Sequence, residues 1–133
     1  VTEQLRVFVY GTLKPGEANY HYCEGCVEFE MAIAPGILYA LPMGYPAMTA
    51  GEGWVKGYLF TFGDRALLQA LDELEDYDSH RPPEQNEYLR EWIAVYHPDE
   101  APLGYAWCYR MTEAQAKAFG GVRVMSGWWT GQN

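Results

Sequence analysis

Positive charge, cysteine and long apolar runs are all scarce in this chain of 133 residues, and each scarcity removes a class of function. Nine Lys and Arg stand against eighteen Asp and Glu, a formal charge of −9. That field repels phosphate backbones and anionic bilayer surfaces, so neither a nucleic-acid partner nor a membrane partner is expected. No apolar stretch approaches the ~20 residues that span a bilayer as a helix. The opening Val1-Thr2-Glu3-Gln4 lacks the basic and apolar regions of a signal peptide, which makes a soluble cytoplasmic protein the expectation. Three cysteines cannot all pair within one chain, and that number suits a reducing compartment. Cys23 and Cys26 form a C-x-x-C with His21 just before and Cys108 far away, but there is no second close ligand pair and no redox-type βαβ pattern around them. They read as ordinary thiols, and neither a metal nor a cofactor is expected.

What is abundant is aromatic side chain. Eleven Tyr and five Trp, in a chain that is 49% hydrophobic, argue for a packed globular body with rings lining a core or a pocket. The length suits a single domain over residues 1–133. Runs rich in β-branched and aromatic residues recur at Leu5 to Tyr10, Val27 to Ile33, Gly36 to Leu41, Trp54 to Phe62, Tyr88 to His97 and Leu103 to Met111, separated by Gly and Pro. Several short strands with little helix predict a small, barrel-like mixed sheet. Asp64 to Tyr77 departs from that pattern with a helical period, Asp64 as N-cap and Leu67, Leu68, Leu71 and Leu74 on one side. Thr112, three residues before Gln115, marks a second, shorter helix by a capping box. Gly120 to Asn133 reads as a tail anchored by Trp128 and Trp129. The fold class is α+β.

Three groups of residues carry candidate chemistry. Tyr10-Gly11-Thr12-Leu13 directly follows the first strand, and a strand that stops at a Gly-containing turn leaves N–H groups able to hold an anion or an oxyanion. The first helix ends in Asp72, Glu73, Glu75 and Asp76. At about 100° per residue Glu75 falls inside the leucine arc, Asp72 at its edge, Asp76 beyond it and Glu73 almost opposite. A carboxylate on the core side of a helix needs a partner or a raised pKa, and the second is the condition for a general base near neutral pH. In the following strand Tyr88, Arg90 and Trp92 alternate on one face, where a phenol and a guanidinium side by side can fix a carboxylate or simply stack on rings.

The order of these features resembles the γ-glutamylcyclotransferase-like family with its γ-glutamylamine cyclotransferase and AIG2-like branches: Tyr10-Gly11-Thr12-Leu13, then Gly44-Tyr45-Pro46-Ala47, Leu71-Asp72-Glu73-Leu74-Glu75-Asp76-Tyr77 and Tyr88-Leu89-Arg90, from about Val7 to Tyr109. The resemblance implies a small mixed β-barrel with flanking helices, no cofactor or metal, and release of 5-oxoproline from a small-molecule γ-glutamyl amide. Carried onto this chain, it implies Glu75 as the catalytic glutamate and Tyr10, Gly11, Thr12 and Leu13 as the loop cradling the γ-glutamyl group. It further implies Tyr88 beside that glutamate and Tyr109 as a looser match to a pocket tyrosine; since an inward carboxylate needs a satisfied partner, the Tyr88 hydroxyl is expected within hydrogen-bonding reach of Glu75. The alternative on the same barrel is a module that binds a small ligand without turnover. Two departures stand out: Asp76 occupies a position commonly Gly, where its charge is expected either to raise the pKa of Glu75 or to mark altered substrate preference, and Asp78 to Glu87 is long and polar.

Overall fold

A computed structural model of the chain describes residues 4–63 and 65–131. The first strand, β1 (Leu5–Val9), is apolar on both faces because both are covered. Leu5, Val7 and Val9 join one buried cluster, whereas Phe8, with Tyr10 just beyond the strand, joins a second. β1 runs antiparallel to β3 (Pro46–Phe62) and parallel to β5 (Pro102–Arg110). β5 pairs with β4 (Leu89–Tyr96), β4 touches β2 (Glu28–Ala40) at Ile33 and Tyr96, and β2 pairs back onto β3. The sheet therefore wraps almost fully round on itself, as the barrel-like expectation required, and β6 (Val122–Arg123) is appended to the end of β2.

Two expected breakers lie inside strands. Ala34-Pro35-Gly36 does not split β2: the register jumps from Pro35 opposite Trp54 to Ile37 opposite Thr49, so the ladder skips Gly36 where Pro35 has no N–H to give. On the other side of that irregularity Gly51 and Gly53 let β3 bulge rather than end, and β3 begins at Pro46 instead of near Trp54.

The helix α1 (Leu67–Leu74) buries Leu68 and Leu71 in the first cluster, beside Leu13, Tyr88 and Tyr109. It is shorter than the periodicity predicts, and the expected N-cap, Asp64, lies outside the described residues. Its C-terminus closes in a Schellman arrangement, with the Asp76 N–H donating to the Glu73 carbonyl at 3.3 Å and the Tyr77 N–H to the Asp72 carbonyl at 2.9 Å. That closure needs a left-handed residue, and Asp76 supplies it at φ 53°. The second helix, α2 (Glu113–Ala118), starts where predicted: Thr112 Oγ1 accepts from the Gln115 N–H at 3.1 Å. The tail is anchored by its indoles, Trp129 buried and Trp128 covering the Nζ of Lys14 at 3.5 Å from the ring centre.

Candidate active site

Where β1 ends, α1 ends and β4 begins, a cavity of about 240 Å³ opens between them. Tyr10, Gly11, Thr12, Leu13, Glu75, Tyr88 and Tyr109, the seven residues singled out from the sequence, all line it. Asn19, Tyr45, Leu74 and Glu87 contribute as well.

The turn after β1 is held by the residues that follow it in the chain. Lys14 N–H donates to the Gly11 carbonyl at 3.1 Å, Asn19 N–H to the Thr12 carbonyl at 2.7 Å, and Asn19 Nδ2 to Thr12 Oγ1 at 3.0 Å. The buried Lys14 side chain donates to the Trp129 carbonyl, tying the turn to the tail. Burial lowers the Lys14 pKa to about 8. Among the described residues, no protein acceptor takes the N–H of Gly11, Thr12 or Leu13. Such amides are the donors a carboxylate or an oxyanion needs. Gly11 also permits close packing, since a Cβ there would lie 2.7 Å from the Pro46 ring.

Glu75 is the C-cap residue just past α1, its N–H donating to the Leu71 carbonyl at 2.9 Å. Its carboxyl faces the cavity and meets no hydrogen-bond donor among the described residues. Burial raises its pKa to about 7, and the charge of Glu87 adds to the rise. A half-buried carboxyl without a partner among the described residues is thus poised to exchange a proton near neutral pH.

The three tyrosines of the wall present rings rather than free hydroxyls. Tyr10 Oη donates to the Tyr109 carbonyl at 2.6 Å and accepts from the Met48 N–H at 3.1 Å, and burial raises its pKa well above the usual range. Tyr109 Oη donates to Asp72 at 2.6 Å. Tyr88 Oη donates to the Pro46 carbonyl at 2.6 Å, which corrects the expectation that it partners Glu75: its one proton is committed to the backbone of β3. Arg90 combines both readings of its strand face, stacking on Tyr77 and Trp107 while Nη1 pairs with Asp72 at 2.6 Å. The carboxylate it fixes belongs to the protein. Of the two readings of Asp76, the pKa effect is not the one seen: its carboxyl pairs with Arg81 at 3.1 Å, and the charge acting on Glu75 is that of Glu87.

Glu87 is the site residue that sequence reasoning missed. Strand alternation puts it opposite Tyr88, and the turn from Asp78 hides where the face begins. In the fold Tyr45 Oη donates to its Oε1. Among the described residues no cluster of His, Cys, Asp and Glu is arranged to hold a metal, and burial pushes the Cys23 thiol up to about 12. Among the described residues no helix is long and apolar enough to cross a membrane.

An AIG2-like γ-glutamyl cyclotransferase profile matches residues 7–131, and the chain belongs to that family. A Drosophila melanogaster relative, provisionally named γ-glutamylcyclotransferase CG2811, is 34% identical over 99 residues, which cover 65% of this chain and 61% of that one. A Vibrio cholerae protein with the same provisional name is 36% identical over 111 residues, 80% of this chain and 81% of its own. The fold matches the crystal structure of a mouse AIG2-like protein with a TM-score of 0.69 at 21% identity, over 98% of this chain and 91% of that one.

Proposed function

We propose that the cavity is the active site of a γ-glutamyl cyclotransferase that needs no cofactor. The substrate brings both reactants: its α-amine attacks its own γ-carbonyl, a C–N bond closes the five-membered lactam, the original amide C–N bond breaks, and 5-oxoproline and a free amine leave. One proton moves from the attacking to the departing nitrogen, and no water or electron is consumed. The protein's task is to fold the chain of the substrate, carry that proton and stabilise an oxyanion.

The observation that carries this reading is the half-buried carboxyl of Glu75, unpartnered among the described residues, in the cavity bounded by the free amides of the turn. Glu75 takes the proton as general base and returns it as general acid, a contribution of roughly 10² to 10⁴ in rate. The amides of Gly11, Thr12 and Leu13 bind the α-carboxylate or the oxyanion, and the rings of Tyr10, Tyr88 and Tyr109 shape the walls.

The test is 5-oxoproline release over a panel of γ-glutamyl amides with wild type, Glu75→Gln and Glu73→Gln. Turnover by wild type and Glu73→Gln, lost in a folded Glu75→Gln, supports the reading. Saturable binding of every amide without release would replace it with a non-catalytic binding module.

A further inference from the structure

We propose that Asp72 is a positioning residue for Glu75: by taking the Tyr109 hydroxyl and the Arg90 guanidinium together, it fixes the last turn of α1 and with it the place of the base. The inference rests on the cyclotransferase reading and adds a residue to that site.

Glu75 stands where a helix is weakest. It caps α1, an element of eight residues, and no basic side chain in the last turn supports the carbonyls there. A base on such an end wanders with it unless something outside the helix holds the turn. Asp72, one turn earlier, is held by its backbone and its side chain alike. Its carbonyl accepts the Tyr77 N–H at 2.9 Å across the Schellman closure. Its carboxylate accepts from Tyr109 Oη at Oδ1 and from Arg90 Nη1 at Oδ2, each at 2.6 Å. The two donors are one cross-strand pair, since Arg90 on β4 lies opposite Tyr109 on β5. The sheet therefore grips the helix through a single carboxylate.

The pairing with Arg90 is one-armed. Arg90 Nε is buried and has no partner among the described residues, although a two-armed pairing with the carboxylate would satisfy it. Tyr109 takes the oxygen such a pairing would need, while Tyr77 and Trp107 stack on the guanidinium. The fold thus leaves a buried donor unpaired and keeps Asp72 where Tyr109 puts it. Tyr109 also fixes the other half of the site. Its carbonyl accepts from Tyr10 Oη at 2.6 Å, directly before Gly11, so the amide turn and the last turn of α1 are both held to one residue of β5. The spacing between a base and its oxyanion donors is what catalysis by orientation depends on.

The central variant is Tyr109→Phe, because the ring stays in the cavity wall and only the grip on Asp72 is lost. At a temperature where circular dichroism reports a folded protein, it should lower kcat for 5-oxoproline release by about tenfold with KM little changed, since a misplaced base costs rate rather than ground-state binding. Asp72→Ala should lower kcat at least as far, and Asp72→Asn, which can still accept from Tyr109, less. Asp72→Ala combined with Tyr109→Phe should be no slower than Asp72→Ala alone, the mark of two groups acting through one contact. An unchanged kcat in Tyr109→Phe overturns the proposal, even where melts show a weaker fold, and so do losses that multiply in the double variant. If wild type releases no 5-oxoproline from any amide, the cyclotransferase reading fails, and carbon-13 NMR of the carboxyls tests Asp72 by itself. Glu75 should titrate at about 7 in wild type and nearer its ordinary range in Tyr109→Phe, as the released turn lets the carboxyl reach water while Glu87, the charge acting on it, is untouched. A Glu75 titration that does not move then overturns the proposal.

Discussion

Asp72 and Glu75 sit three residues apart at the end of one helix, and the fold treats them in opposite ways. Asp72 receives the Tyr109 hydroxyl and Arg90 Nη1, both at 2.6 Å. Glu75, one turn on, receives no donor from the described residues and is pushed up to about 7. A carboxylate satisfied on both oxygens braces α1 against β4 and β5 and has little left to offer a substrate. One left bare in a cavity costs stability, and the proposed proton transfer is what would account for that cost.

The largest effect expected from breaking this contrast is on turnover. Glu75→Gln should lower 5-oxoproline release by about 10² or more, while Glu73→Gln, on the exposed side, stays near wild type. The same substitution should strengthen the fold with a definite pH dependence. A carboxyl whose pKa is raised from 4.5 to about 7 on folding carries no penalty below pH 4.5, and the penalty grows as pH rises to about 7. Denaturant melts should therefore show Glu75→Gln more stable than wild type at pH 8, by an amount on the order of 1 to 3 kcal/mol, and equal to it at pH 4. A loss of stability at pH 8 would make Glu75 a structural residue.

Removing the satisfied partner should do the reverse. Asp72→Ala leaves Arg90 and the Tyr109 hydroxyl without their acceptor, and the pair is only partly exposed, so a loss of about 1 to 3 kcal/mol is expected in the same melts. A variant as stable as wild type would show that Asp72 braces nothing.

A smaller effect sharpens the electrostatics. If Glu75 must be ionised to act, kcat/KM climbs with pH through about 7, and Glu87→Gln should move that limb to lower pH by removing a like charge. Asp76→Asn should leave it in place, because the Asp76 carboxylate is paired with Arg81. A limb that follows Asp76 and ignores Glu87 would reverse the assignment. The smallest effect on activity belongs to Cys23→Ser with Cys26→Ser, at a modest packing loss from the buried Cys23, since the proposed chemistry uses no thiolate. Loss of 5-oxoproline release from a folded double variant would end the thiol-free mechanism.

The sequence by itself determined most of the architecture and the inward direction of Glu75. Alternating and continuous apolar runs are local signals, so β1, β4, β5 and both helices were legible, as was the leucine arc that contains Glu75. Where the sequence pattern divides an element that the fold keeps whole, a Gly or Pro stands inside the strand. Pro35 and the glycines at 51 and 53 sit at an irregularity that the partner strand absorbs, and no single segment can reveal that. Only the tertiary structure decided who meets whom. Tyr88 gives its proton to Pro46, 42 residues away; Tyr109 gives its own to Asp72, 37 away; Glu87 meets Tyr45 and shares a cavity with Glu75. Hydrogen bonds and charges act over a few ångströms of space, whatever the distance along the chain, so partners were fixed only when β1, β3, β4 and α1 converged on one cavity.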